Sequence, residues 1–278
     1  MQTLVNMYRP ITGTPFQNNE SYREIAPCEA LKPYIRCFWG TDGTVKAQSG
    51  SASSGIVIPD TCMDIIFYTD YTENNCSGIF CTIDEHSYFT ENTLSQNLTS
   101  TFAVRFYGWS VILFAEEDFT VRGNGRFPCE YFFGRLKSKL EPLLHEAFSL
   151  KEKIKITEKF LLEALNKNRI NTDLLNSIYY MLKTHGRAKI SDICGYSCVS
   201  EKKLERVFNF NTGVSPKAFS SLLRYQLLWQ DMVFSKDFDM LDAVEKYGYT
   251  DQPHLLRDFK RRHLMTPREA LAFADKCR

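Results

Sequence analysis

Tyr249-Thr-Asp-Gln-Pro-His-Leu-Leu-Arg-Asp-Phe-Lys-Arg-Arg-His-Leu-Met-Thr-Pro-Arg268 is the stretch on which the fold turns. Leu255 and Phe259 recur at helical spacing, while Gln252, His254, Arg257 and Arg261 fall on other faces. Asp251 can cap the helix start. Thr266 then reads as a second N-cap, with Pro267 at the first helical position and Glu269 closing a capping box. Upstream, Leu241 to Val244 begins a short helix that Gly248 can stop in the left-handed conformation. A short helix, a glycine turn and a helix with a basic outer face describe a helix-turn-helix, whose second helix has the dimensions of the DNA major groove.

The chain carries this pattern twice. A shift of fifty-one residues places Ile190 on Leu241, Ile193 on Val244, Tyr196 on Tyr247 and Ser200 on Asp251. It also places Leu204 on Leu255, Arg206 on Arg257, Phe208 on Phe259, Ser215 on Thr266 and Pro216 on Pro267. Two three-helix units in tandem follow; two repeats are too few for a stable solenoid.

Composition bounds the rest. The 278 residues suffice for two domains, and 44% hydrophobic with 24% charged content is that of a soluble globular protein. The sequence shows neither a signal peptide nor an apolar run long enough to span a bilayer, so a cytoplasmic protein is expected. Nine scattered cysteines suit reduced, buried thiols. Cys194 and Cys198 alone have ligand-like spacing, without a second pair, so no metal is expected. The net charge of +1 hides an asymmetry. Residues 1–172 hold 17 Lys/Arg against 20 Asp/Glu, whereas residues 173–278 hold 17 against 13. The basic excess lies in the repeated half, where phosphate contacts would be needed.

In chain order, residues 1–27 read as an irregular lead-in. Strands are expected at 34–39, 56–58, 63–68, 99–107 and 111–114, with Gly50 to Gly55 as a loop. Residues 130–168 turn helical: Tyr131, Phe132, Leu136, Leu140, Leu143 and Leu144 share a face that Pro142 should break or kink. An amphipathic helix from Lys151 to Lys167 can pack on the sheet or on a second subunit, as in a homodimer. The expected fold class is α+β in two domains: an N-terminal β-rich barrel or sandwich with following helices, then an all-α tandem helix-turn-helix. The boundaries are residues 1–149 for a sensor or dimerisation domain, 150–171 for a linker helix, and 172–278 for the DNA-binding part.

At the repeats, the segments Leu204-Glu-Arg-Val-Phe208, Thr212-Gly-Val-Ser-Pro216, Gly248-Tyr-Thr-Asp-Gln252, Arg257-Asp-Phe-Lys260 and Thr266-Pro267 resemble the DNA-binding domain of AraC/XylS-family bacterial transcription regulators. The resemblance implies two helix-turn-helix units joined by a long helix, begun here by Ser215 and Pro216. It also implies double-stranded DNA as partner, transcription activation and hence contact with RNA polymerase. Pro27 to Trp39, Ile58 to Phe67 and Phe102 to Phe106 look, less specifically, like the sensor-type domain that precedes the helices in one subgroup. That implies a small-molecule effector without identifying it.

The candidate DNA contacts follow. Arg206 and Arg257, at matched positions, lead for guanine or phosphate; an ion pair with Asp258 or a neighbour is the competing role. Lys202, Lys203, Gln252 and His254 lie near the recognition-helix starts. Glu205 would repel phosphate but can accept from a cytosine amino group. Ser200, Lys217, Arg224, Arg261 and Arg268 are placed as phosphate contacts. In the β half, Trp39, Phe67, Arg105, Tyr107 and Trp109 could line an effector pocket with Asp60 or Asp64 as polar anchors; packing in the core is their competing role. No catalytic constellation, metal or cofactor is expected, because His86 and His145 stand apart from any nucleophile elbow or zinc motif. Two readings compete with a ligand-responsive regulator: a regulator whose β half is purely structural, and an enzyme domain fused to a DNA-binding domain.

Overall fold

The computed structural model of the chain describes residues 1–19, 22–46, 55–90, 97–117 and 123–276. Helix α1 (Gln2–Met7) opens it. Among the described residues nine strands follow: β1 (Arg23–Ile25), β2 (Ile35–Gly40), β3 (Val45–Lys46), β4 (Ile56–Val57), β5 (Cys62–Asp70), β6 (Asn75–Cys81), β7 (Tyr88–Phe89), β8 (Leu98–Tyr107) and β9 (Arg126–Pro128). The rest is helical: α2 (Glu130–Glu146), α3 (Leu150–Ala164), α4 (Thr172–Lys183), α5 (Ile190–Ser197), α6 (Glu201–Thr212), α7 (Pro216–Phe234), α8 (Met240–Tyr247), α9 (Gln252–His263) and α10 (Pro267–Asp275).

The main sheet is antiparallel in the order β1-β2-β8-β5-β6-β9, with β3 also on β8; β4 and β7 form a separate pair. Among the described residues the sheet stays open, a sandwich-like layer under helices and not a closed barrel. Strand alternation explains its packing. Met63, Ile65 and Phe67 of β5 lie opposite Phe106, Val104 and Phe102 of β8, and this face is fully buried. Helix α2 closes it, with the Phe133 ring 5.1 Å from that of Phe80. The other face carries Asp64 opposite Arg105 and Ile66 opposite Ala103.

Several expectations change here. The lead-in contains α1, which buries Leu4. Residues 111–113 form a 3-10 turn instead of a strand, burying Val111, Ile112 and Leu113 together. Strand β6 was not read: Cys76, Gly78 and Ser77 dilute its alternation. Pro142 does not break α2; the deviation falls at Phe133 (φ −136°, ψ 39°). The carbonyl freed by the proline belongs to Ser138, an exposed residue, so water can satisfy it. Tyr131, Leu143 and Leu162 are exposed and do not join the buried face of α2 and α3. The 50–54 part of the expected loop, and Cys277, lie outside the described residues.

The repeats are helical as read, but their register is not uniform. In α5 the buried residues are Ile193 and Ser197; in α8 they are Ala243 and Tyr247. That is a shift of fifty. The left-handed C-caps agree, Cys198 (φ 54°) with Gly248 (φ 67°). From the N-caps Ser200 and Asp251 onward the shift is fifty-one. The second turn is thus one residue longer, and the pairing of Ile193 with Val244 and of Tyr196 with Tyr247 is replaced.

Among the described residues two large apolar cores result, beside a small cluster of Ile66, Cys81 and Ala103 on the other sheet face. One runs from the sheet through α2, α3 and α4 into α5, α6 and the first half of α7. The other joins the second half of α7 to α8, α9 and α10, and takes in Ile11, Ile56 and Ile58 from the β half. Leu255, Phe259 and Trp229 are wholly buried in it, each contributing about 1.5–3 kcal/mol.

Candidate nucleic-acid interface

Each recognition helix is positioned by its cap and its buried stripe. The Ser200 hydroxyl accepts from the Lys203 amide at 3.3 Å, and the Asp251 carboxylate from the His254 amide at 2.7 Å. Burial of Leu204, Val207 and Phe208 then turns Lys202, Arg206 and Asn209 outward on α6. Burial of Leu255, Phe259 and Arg262 does the same for Pro253, Arg257 and Lys260 on α9. Helix α7, capped by the Ser215 hydroxyl on the Ala218 amide at 3.1 Å, joins the two units. Its 19 residues measure about 28 Å, close to the roughly 34 Å of one duplex turn.

Arg206 and Arg257 are exposed and pair with no described carboxylate. Lys202, Lys217, Gln252 and Arg268 are also exposed. Other candidates are committed within the protein. Lys203 pairs with Asp173 of α4 at 2.7 Å. Glu205 accepts from the Asn209 side chain at 3.4 Å. The His254 ring accepts from the Thr250 amide at 3.4 Å and stands edge-on to Tyr249. Arg224 lies 4.5 Å over the Tyr249 ring and 3.7 Å from Asp258, with its side chain only 19% exposed. Arg261 bonds Asp258 at 2.6 Å while staying largely exposed.

Asp258 is therefore a hub, held also by the Tyr249 hydroxyl at 3.0 Å and by Arg262 at 3.5 Å. Burial works against its charge, but Arg262, Arg261, Tyr249 and Arg224 keep its pKa below the usual carboxylate value. His263 behind it is fully buried, 2.8 Å from the Tyr225 hydroxyl, and burial pushes its pKa down to about 3. Sequence reading missed Leu256 and Lys260. With Met240, Pro267, Arg257 and Arg268 they line a groove of about 370 Å3. The outward period of Arg257 and Lys260, three apart, was the available signal.

The β half splits its candidates. Trp39, Asp64, Arg105 and Asp60 come together: the Trp39 indole donates to Asp64 at 2.8 Å, and Arg105 forms an ion pair with the buried Asp60. Burial raises the Asp64 pKa. Phe67 sits on the opposite, core-facing side of the sheet, because it lies an odd number of positions, three, along the strand from Asp64. Tyr107 and Trp109 stack at 4.5 Å in the core.

The β half also touches both units. The Gly123 amide donates to the Gly213 carbonyl at the end of α6 (2.9 Å), and the Ser87 hydroxyl to the Arg262 carbonyl near the end of α9. Between them, Gln226 of α7, fully buried, accepts from the Ile11 amide at 3.0 Å and donates to the Pro59 carbonyl at 2.9 Å. Trp229 donates to the Thr12 carbonyl at 3.0 Å.

Comparison with known proteins places residues 193–272 in a helix-turn-helix domain family and residues 23–120 in a domain of unknown function, DUF6597. No curated protein matches significantly. Among solved structures, an AraC-type transcriptional regulator from Chromobacterium violaceum is similar at 23% identity and a TM-score of 0.34, over 37% of this chain and 91% of that one. ToxT from Vibrio cholerae is similar at 13% identity and a TM-score of 0.43, over 84% of this chain and 98% of that one. A further ToxT structure, with bound (E)-4-(8-methylnaphthalen-1-yl)but-3-enoic acid, is similar at 15% identity and a TM-score of 0.42, over 85% and 99%. Among the described residues no helix is long and apolar enough to cross a membrane, and no group of His, Cys, Asp and Glu could hold a metal ion.

Proposed function

We propose that the chain, whose residues 193–272 match a helix-turn-helix domain family, is a sequence-reading transcription regulator of the AraC type controlled through its β half. One observation carries the reading. Two recognition helices at the ends of one connecting helix present Lys202 and Arg206, and Arg257 and Lys260, on outward faces. Both heads enter successive major-groove segments on one side of the duplex. Arg206 and Arg257 contact base edges or phosphates, and Lys217 and Arg268 hold the backbone. Arg224 and Lys203 act by fixing the heads. Lys202, Gln252 and Arg206 are the readers of choice because among the described residues no side-chain partner competes for them.

The β half serves as the control element. A small molecule bound beside Trp39, Asp64 and Arg105 perturbs Asp60, whose neighbour Pro59 is bonded to Gln226 in the connecting helix. The route from ligand to reading heads is therefore short. Activation through RNA polymerase, with or without a homodimer, is the proposed output, and no step in it requires catalysis. Selection of genomic fragments by the full-length protein at physiological salt tests the reading. An affinity for the best fragment about a thousandfold above random DNA supports it; only weak, salt-sensitive binding overturns it. A metabolite screen by thermal shift separates a sensor from a purely structural β half, since a ligand of the folded state raises the melting temperature.

A further inference from the structure

The two recognition helices differ at one matched position in a way that bears on what they read. Position 205 of α6 is Glu205; its counterpart fifty-one residues on is Leu256 of α9. Leu256 is half-buried on the flank of α9 and, with Met240 of α8 and Pro267 of α10, floors the groove of about 370 Å3. Arg257, Lys260 and Arg268 form its rim, and none of the residues lining it is acidic. An apolar floor between three cations is complementary to an anionic surface that also offers a carbon contact. DNA meets both requirements on the face where Arg257 and Lys260 already point. Its phosphates face the cations, and the one apolar group on the major-groove edge of a base pair is the thymine 5-methyl.

Resting on the DNA-reading function above, we propose that Leu256 reads a thymine through its 5-methyl group, with Lys260 and Arg268 holding the flanking phosphates. The first head cannot do this. Glu205 would place a carboxylate against the methyl, and its side chain instead accepts from Asn209 at 3.4 Å. The operator is accordingly two unlike half-sites in tandem, with the methyl-read thymine under the second head only. Leu256, which packs by one side against the second core, thereby offers its remaining surface to the base.

Deoxyuridine pairs as thymine does and lacks only the methyl, so it isolates the contact. In the best fragment from genomic selection, each thymine is replaced singly by deoxyuridine and affinities are measured for the wild-type protein, Leu256→Ala and Leu256→Met. The expected result is one position under the second head where the wild type loses about fourfold, the value of one buried carbon group. Leu256→Met, which keeps an apolar tip, retains that sensitivity, and Leu256→Ala loses it while preserving affinity for the deoxyuridine fragment. The proposal is overturned if no single replacement under that head lowers affinity, or if Leu256→Ala keeps the full sensitivity. Sequence preference without methyl sensitivity sinks the Leu256 assignment alone. Absence of any sequence preference removes the DNA-reading function as well.

Discussion

The two helix-turn-helix units build the same shape from different chemistry. In the first, the inner face of the recognition helix is Leu204, Val207, Phe208 and Thr212. In the second, the matched positions are Leu255, Asp258, Phe259 and His263. Where the first unit packs a valine, the second buries a carboxylate among Arg224, Arg261 and Arg262. The longer turn accounts for the difference. Tyr249, next to the left-handed Gly248, supplies both a hydroxyl to Asp258 and a ring under Arg224. The inner face of the first head is thus held mainly by apolar contact, with the Lys203–Asp173 ion pair at its surface. The other is held by a buried charge network, which is specific in geometry and sensitive to the loss of any member.

Asp258→Ala is the sharpest way to break this contrast. It leaves Arg262, whose side chain is 9% exposed, without its carboxylate, and should cost about 3–5 kcal/mol. Urea unfolding combined with amide exchange along α9 measures it. The loss should appear in α8, α9 and α10 and spare α5 and α6. A cost below about 1 kcal/mol would show that the carboxylate is dispensable.

The outward faces should behave alike where the inner faces differ. Arg206→Ala and Arg257→Ala should each weaken binding to the selected fragment by about 1–3 kcal/mol, leaving the melting temperature unchanged, because among the described residues neither guanidinium has an internal partner. Loss of affinity equal on specific and random DNA would assign the residue to phosphate; loss on the specific fragment alone would assign it to a base. Arg224→Ala should instead lower the stability of the second unit, through Tyr249 and Asp258.

Much of this was legible beforehand. Leu204, Phe208, Leu255 and Phe259 announce the helices by period, and Ser215-Pro216 and Thr266-Pro267 announce the starts of α7 and α10. The register of α5 against α8 was not legible. Both Val244 and Ala243 are apolar, and the tyrosines at 196 and 247 invited a false match. Only packing reveals that Tyr196 is exposed while Tyr247 is buried and bonded to Asp231 at 2.6 Å. The pocket candidates divide between the two faces of the sheet for a related reason. Trp39, Asp64 and Arg105 share a face by strand alternation and strand register, but Phe67 has the opposite parity, and Trp109 lies beyond the strand end, where alternation no longer applies. The bonds from Gln226 to Ile11 and Pro59 join residues more than 160 apart, which local pattern does not reach.

Acid should separate the two units. The His263 pKa is pushed down to about 3 by burial, against 6.5 for a free side chain. As pH falls below 6.5 the unfolded chain takes up a proton that the folded second unit refuses. Stability is lost progressively through that window, by about 2 kcal/mol at pH 5. Asp258 adds a loss at still lower pH, because its depressed pKa stabilises the fold only above the ordinary carboxylate value. The first unit, with Thr212 in place of His263, should show neither slope. Unfolding midpoints at pH 7 and pH 5 for the wild type and His263→Gln test this, and an unchanged slope in the variant would exclude His263.

The smallest expected effect lies in the turns themselves. Gly248 and Cys198 both hold left-handed backbone, at φ 67° and φ 54°. A residue with a Cβ pays roughly 1 kcal/mol there, which glycine avoids. A Cβ built on Gly248 would also come within 3.0 Å of the Arg187 Cβ, whereas the exposed Cys198 side chain only approaches the Gly195 carbonyl at 3.8 Å. Cys198→Gly should therefore stabilise the first unit by about 0.5–1 kcal/mol, and Gly248→Ala should destabilise the second by at least as much. Paired unfolding measurements decide it. If Cys198→Gly instead destabilises, the first turn is held by its side chain, and the two turns differ in mechanism as well as in length.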